Sequence, residues 1–281
     1  MTEHTKQPRI AFIGCGNMGS SLIGGLVTSG YPANQITAAD TDAEKRAVMV
    51  NRHGIAAYDD NITAIKGASA VVLAVKPQNL KKTLNAMATA LRTSGSVIIS
   101  VAAGIRTDAI AAWLGGNQMP VVRAMPNTPA LIRTGATGLY ANNRVNAQQR
   151  QVADTVMQAV GATLWLDDEA MVDAVTAISG SGPAYFFLFM EALEAAGTEL
   201  GLPREQARQL ALQTAYGAAS MARESDTDAG ALRERVTSPG GTTEQALKQL
   251  RDGGLENLVS VAATAARDRS RELSDAFGAD N

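Results

Sequence analysis

A chain with one cysteine cannot close a disulfide on itself, and Cys15 is the only cysteine here. That fits a reducing compartment, and the cytoplasm is the expected location. Histidine is almost as scarce, with only His4 and His53. The first lies in a polar tail and the second just before Gly54, where glycine ends helices. Both read as surface residues, which leaves little material for a histidine-based metal site or a Ser-His pair, and no metal is expected. Charge of one sign is missing too: 25 basic against 27 acidic residues, with no basic block, argue against nucleic acid as the main partner. The uncharged stretch Ala174–Met190 is interrupted by Ser179-Gly180-Ser181-Gly182-Pro183 and falls short of a membrane span, so it reads as a buried helix pair and no membrane is expected. Met1–Gln7 lacks the apolar core of a signal peptide.

What remains is a chain of 281 residues, long for one core and comfortable for two domains. Arg9–Ile13, Ile36–Ala39, Ala70–Val75, Val97–Val101 and Pro120–Ala124 read as strands. The continuous apolar runs suit strands covered on both faces. Helical segments over Asn17–Thr28, Asp42–Asn51, Gln78–Leu91 and Thr107–Leu114 lie between them. Gly135–Tyr140 and Ala162–Leu166 add two strands around a helix near Ala147–Val160. The alternation predicts a Rossmann-type, doubly wound, mostly parallel α/β sheet over residues 1–167. After Asp167-Asp168-Glu169 every segment reads as helix: Ala170–Ile178, Pro183–Leu200, Arg204–Glu224, Asp228–Val236, Glu244–Arg251 and Leu255–Phe277. Residues 168–281 are therefore expected to form an all-α domain. It is rich in small residues and is expected to complete its core against a second copy, as a homodimer.

Gly14-x-Gly16-x-x-Gly19 stands between the first strand and the first helix. There one glycine makes the tight turn, one lets backbone approach a pyrophosphate, and one lets helix pack on strand. Asp40 follows at about 20 residues' distance, where a carboxylate bonds the adenine ribose and disfavours a 2′-phosphate. Lys45 and Arg46, a turn further, would offset a phosphate, so NAD(H) and NADP(H) both stay open; Asp40 or Asp42 could equally cap the next helix. Ala74-Val75-Lys76-Pro77, Ala102-Ala103-Gly104 and Arg123–Pro129 all follow strands at the ligand-binding edge of such a sheet. Lys76 could hold a ribose or phosphate or be a plain surface lysine, and Asn127 could face a nicotinamide or brace its loop.

At the other end, Thr237-Ser238-Pro239-Gly240-Gly241-Thr242-Thr243-Glu244 has the look of a second anion-cradling turn. Thr242-x-x-Gln245 has capping-box spacing, and backbone N–H groups around Gly241, Thr242 and Thr243 would converge at a helix start. A small carboxylate suits it better than a phosphate, because no arginine sits inside the run. A mere helix cap is the competing reading. Ser179–Tyr185 reads as a rigid break between two helices, and Phe186–Met190 as core.

The nucleotide turn with Asn17-Met18, Ala74–Pro77, Met125–Pro129, Ser179–Tyr185 and Thr237–Glu244 together resemble Δ1-pyrroline-5-carboxylate reductase, in order from about Arg9 to Leu273. The resemblance implies NAD(P)H-dependent reduction of L-1-pyrroline-5-carboxylate to L-proline. It also implies a helical dimerisation domain whose dimers assemble into a ring, commonly a decamer. By position it puts Ile13, Gly14, Cys15, Gly16, Asn17, Met18, Asp40, Asn61, Ala74, Val75, Lys76, Pro77, Val101, Ala102 and Ala103 on the cofactor. It puts Val236, Ser238, Gly241, Thr242 and Thr243 on the substrate. Reduction of a protonated cyclic imine needs no positioned acid, which agrees with the shortage of histidine. Thr243 is the candidate for orienting the imine nitrogen. The rivals are a broader imine reductase, a β-hydroxyacid dehydrogenase, whose interdomain lysine and asparagine are absent from Gly180–Glu191, and a non-enzymatic dinucleotide sensor.

Overall fold

The computed structural model describes residues 7–116 and 118–279. His4 lies outside them. Eight strands form one sheet. In chain order they are β1 (Ile10–Ile13), β2 (Ile36–Ala39), β3 (Ala56–Tyr58), β4 (Ala70–Leu73), β5 (Val97–Ser100), β6 (Val121–Met125), β7 (Gly135–Ala141) and β8 (Gly161–Leu166). Their spatial order is β3-β2-β1-β4-β5-β6-β7-β8, and every pair is parallel except β6 with β7. The order runs outward in both directions from β1 and β4, so the chain reverses its winding between those two strands. In open α/β sheets that is where ligands bind, outside the strand C-termini.

The apolar runs make strands because both faces are covered. Ile10, Phe12, Val72 and Ile99 enter one core cluster. Ala11, Ile13, Val71 and Ile98 enter the other, on the opposite face of the pleat. Each of these larger side chains contributes about 1.5–3 kcal/mol by leaving water. The helices that cover the faces begin with α1 (Asn17–Thr28) and α2 (Ala43–His53). Next come α3 (Asn61–Ile65), α4 (Pro77–Ser94), α5 (Thr107–Trp113) and α6 (Ala147–Gln158). β3 and α3 are additions to the sequence reading. Three residues without β-branching and a five-residue helix carry no period; the Asp60 cap, which accepts from Ile62 and Thr63 N–H groups, starts the latter.

From α7 (Met171–Val175) to the end, all elements are helical: α8 (Gly182–Glu199), α9 (Arg204–Glu224), α10 (Ala229–Arg235), α11 (Thr242–Asp252) and α12 (Leu255–Ala279). Strands end at Leu166, but the compact units divide further on. One unit comprises the chain through Ser181 together with the chain from Ala266 onward. The other is Gly182–Ala265.

Two expectations need correction. Ser179–Gly182 is not a break: Thr176–Gly180 forms a π-turn, closed by the Ser181 N–H donating to the Thr176 carbonyl at 2.8 Å, and the chain stays helical on both sides. Nor is Phe186–Met190 core. Phe186, Phe187 and Leu188 are each more than 60% exposed, and α8 to α11 bury only Gly182, Ala207 and Ala211 among the described residues. A helical unit with so little interior of its own is completed by self-association.

Candidate active site

The β1–α1 turn is shaped by three glycines with three different reasons. Gly14 has φ +101°, and a Cβ there would stand 2.5 Å from the Ala74 carbonyl oxygen. A Cβ on Gly19 would stand 2.2 Å from the Gly14 carbonyl oxygen. At Gly16 a Cβ would meet nothing within 4 Å. The protein has no internal use for that missing side chain, so the open space beside it is available to a ligand. Gly16 is also the N-cap of α1. It provides no side-chain cap, and no acidic residue stands in the first turn. The N–H groups of that turn and the positive helix end are therefore left for an anion, as a pyrophosphate requires.

Around this turn the structure gathers most of the predicted cofactor residues at the ends of neighbouring strands. The Gly14 N–H donates to Ala39 at 2.8 Å, the Ala74 N–H to Ile13 at 2.8 Å, and the Val101 N–H to Leu73 at 3.2 Å. Asp40 is half-buried and turned back toward the turn: its Oδ2 accepts from the Cys15 N–H at 2.8 Å and its Oδ1 from the Asp42 N–H at 2.9 Å. It does not cap α2; Asp42 does, accepting from Glu44 and Lys45 N–H groups. Arg46 donates to the Asp40 carbonyl at 2.8 Å, and Lys45 pairs with Asp42 at 3.3 Å. Lys76 is exposed as the N-cap of α4, with Pro77 first in that helix. Ala74 and Val75 are half-buried, Ala102 is buried and Ala103 exposed. Asn61 opens α3, one strand further out.

Cys15 is 4% exposed, and burial, then the Asp40 carboxylate, push its thiol up to about 11. At neutral pH it is a packed thiol and not a nucleophile. His53 sits at the surface but is half-buried and not fully exposed. Gly24 has no side chain to displace it, and burial, then Arg52, lower its pKa. Asn127 braces its loop: its Nδ2 donates to the Ser179 carbonyl at 3.0 Å and its Oδ1 accepts from the Ala136 N–H at 2.9 Å. That bond engages a carbonyl inside the π-turn.

Sequence reasoning missed Glu169. Its Oε1 accepts from the Thr107 N–H at 2.8 Å, its Oε2 from the Thr107 hydroxyl at 2.8 Å, and Arg123, 3% exposed, reaches its Oε1 at 3.3 Å. The carboxylate thus ties β6 to the start of α5. Its partners lie 46 and 62 residues away, and no local pattern marks it.

The second predicted turn lies in the Gly182–Ala265 unit, between α10 and α11. Gly240 has φ +72°, and its N–H donates to the Glu244 carboxylate at 2.8 Å. Gly241 is the N-cap of α11 and carries no side-chain cap. The capping box expected over Thr242–Gln245 does not form, because Thr242 is already the first helical residue and Thr243 the second. A plain cap would have closed this helix end with a side chain. Instead Glu244 folds back onto Gly240, and the N–H groups of the first turn keep their direction for an anion. Ser238, Thr242 and Val236 are exposed there, and Gly241 and Thr243 half-buried. Among the described residues no group of three or more His, Cys, Asp or Glu side chains could hold a metal. No helix among them is long and apolar enough to cross a membrane.

Two family models match the chain: pyrroline-5-carboxylate reductase dimerisation over residues 169–273, and NADP oxidoreductase, coenzyme F420-dependent, over residues 9–104. A pyrroline-5-carboxylate reductase of Pseudomonas aeruginosa is 54% identical over 271 residues, spanning 96% of this chain and 98% of that protein. The chain belongs to the pyrroline-5-carboxylate reductase family. Solved structures of the family agree in shape. The Coxiella burnetii reductase is 43% identical with a TM-score of 0.93, over 95% of this chain and 98% of that one. A Plasmodium falciparum pyrroline carboxylate reductase with NADP bound is 28% identical with a TM-score of 0.83, over 96% of this chain and 99% of that one. An imine reductase of Bacillus cereus shares only the fold, at 15% identity and a TM-score of 0.52.

Proposed function

We propose that this protein reduces the C=N bond of L-1-pyrroline-5-carboxylate to give L-proline, as a cytoplasmic enzyme using NADH or NADPH. The observation that carries the reading is 54% identity to such a reductase over nearly the whole chain. The turn geometry supports it, with one uncapped, glycine-framed helix start in each compact unit. When bound, the reduced nicotinamide supplies the hydride.

The chain's own residues bind, orient and exclude water. Ile13–Met18, Asn61, Ala74–Pro77 and Val101–Ala103 hold the dinucleotide, and Asp40 its adenine ribose. Val236, Ser238 and the N–H groups of Thr242 and Thr243 hold the substrate carboxylate, with Gly241, whose own N–H donates to the Ser238 carbonyl at 2.9 Å, lying against it. The Thr243 hydroxyl orients the imine nitrogen, which arrives already protonated, so no side chain has to deliver a proton to it. Orientation of this kind can contribute about 7–11 kcal/mol. Residues 1–167 serve the dinucleotide; residues 168–281 serve the substrate and the partner copy, with dimers assembling to a decamer.

Substrate-dependent loss of NADH or NADPH absorbance, much faster with pyrroline-5-carboxylate than with pyrroline lacking the carboxylate, is the test. Equal rates with both imines would make the protein a general imine reductase. Thr243→Ala is expected to lower kcat/KM by about ten- to hundredfold, the loss of one hydrogen bond to a charged group. An unchanged value would remove Thr243 from the site. Asp40→Ser is expected to raise the NADPH-to-NADH ratio of kcat/KM by about tenfold, since it removes a carboxylate facing the 2′-phosphate. It should lower NADH efficiency as well, because serine cannot accept from both the Cys15 and Asp42 N–H groups. Cofactor-resolved steady-state kinetics would read both changes.

A further inference from the structure

The end of α12 is built to hold the loop that follows β5. This helix begins in the Gly182–Ala265 unit, but from Ala266 on it belongs to the sheet-bearing unit. Ser270, Leu273, Ser274 and Phe277 fall at i, i+3, i+4 and i+7 and so make one stripe. Ser270 and Ser274 are 5% and 1% exposed. Serines let the helix approach closely, and the Ser270 hydroxyl donates to Asp173 at 2.7 Å. Further along, Leu273 and Phe277 cover Gly104. A Cβ on that glycine would stand 3.3 Å from the Phe277 ring and 3.5 Å from the Leu273 Cβ. Next to it, Arg106 donates to Asp275 at 2.7 Å.

Gly104 has φ +75°, a conformation that glycine enters easily and leaves as easily. The loop is pinned at its start, where the Ala102 N–H donates to the Ser100 hydroxyl at 3.3 Å, and at its end, where Glu169 takes Thr107. Over Gly104 itself lies the Phe277 ring, which also packs against the core on that face of the sheet.

We propose that the distal stripe of α12, Phe277 above all, is a positioning element for the dinucleotide: through Gly104 and Arg106 it fixes the backbone of Val101–Ala103. The inference rests on the reading that Val101–Ala103 touches the dinucleotide. Without the ring the loop samples more conformations, and the ligand must order it on binding. Phe277→Ala in the full chain is therefore expected to weaken NADH and NADPH binding by calorimetry about ten- to hundredfold. Affinity for L-proline and the sedimentation coefficient should stay at wild-type values. In the ligand-free protein, amide hydrogen exchange of residues 101–106 should accelerate. Phe277→Tyr, which keeps the ring, should restore all three, and Arg269→Ala, on an exposed pair with Glu272, should change none. Should Phe277→Ala not fold, Phe277→Leu carries the same test with a few-fold effect expected. A folded Phe277→Ala protein with unchanged loop exchange and unchanged dinucleotide affinity would overturn the proposal. If the loop exchanges faster yet dinucleotide affinity holds, the clamp is structural and its role toward the cofactor is refuted. Wild-type protein that binds neither dinucleotide would instead overturn the underlying reading.

Discussion

Gly16→Val is expected to weaken dinucleotide binding by about a hundredfold while lowering the melting temperature only slightly, through the poorer helix N-cap. The two halves of that result have separate causes. A Cβ at Gly16 meets nothing within 4 Å beyond its own chain neighbours, so the fold offers it little resistance. The same space is where a pyrophosphate must approach the uncapped start of α1, and branched carbon there keeps it at a distance. Displacement by an ångström or more costs on the order of a hundredfold in kcat/KM. Gly19→Ala is the mirror experiment. Its Cβ would collide with the Gly14 carbonyl, a backbone atom that can move only by pushing the whole turn, so stability should fall by about 1–3 kcal/mol, as overpacking does. Calorimetric titration with NADH together with thermal unfolding separates the two. Wild-type affinity in Gly16→Val would mean that the open space at this turn is not the pyrophosphate's.

The largest effect on stability is expected at Glu169→Ala. Arg123 is 3% exposed, and among the described residues Glu169 is the carboxylate within salt-bridge distance of it. Removing that carboxylate leaves a buried cation, along with the Thr107 N–H and hydroxyl that it accepted. Loss of one partner from a buried pair costs about 3–5 kcal/mol, mostly as the penalty of the stranded charge. Urea unfolding at fixed protein concentration should show it as a lower midpoint; the concentration matters because self-association contributes to stability. The pair itself need not be strongly stabilising. Arg123→Met combined with Glu169→Leu should recover much of the loss, since two apolar side chains strand no charge. If Glu169→Ala unfolds at the wild-type midpoint, the carboxylate is not what satisfies Arg123.

Much of the sheet could be read directly because a strand covered on both faces must be apolar without interruption. Ala70–Leu73 meets that condition with every residue buried, and Val97–Ser100 departs from it only at its last residue, the buried Ser100. The nucleotide turn was legible for a related reason: each of its glycines answers a geometric demand that another residue would violate. The helical half was harder. Apolar periodicity shows that Phe186–Phe189 seeks cover but not whose, and the cover is not supplied among the described residues. Gly180, Gly182 and Pro183 look like punctuation, yet the chain there takes a π-turn and stays helical, braced by Asn127 from 52 residues away. Thr242 and Gln245 have the spacing of a cap, but the helix starts at Thr242 itself, one residue too early for the motif to close. Glu169 with Arg123, and Asp173 with Ser270, are pairings across long sequence separations, and nothing local announces them.

The central step is a hydride passing directly to the imine carbon of a small cyclic acid. Single-turnover reduction of pyrroline-5-carboxylate with dinucleotide deuterated on the transferred face of nicotinamide C4 measures that step. One deuterium at C5 of the proline formed, read by mass spectrometry, is the predicted result. Proline formed without the label, or no proline at all from folded, dinucleotide-bound protein, would contradict it.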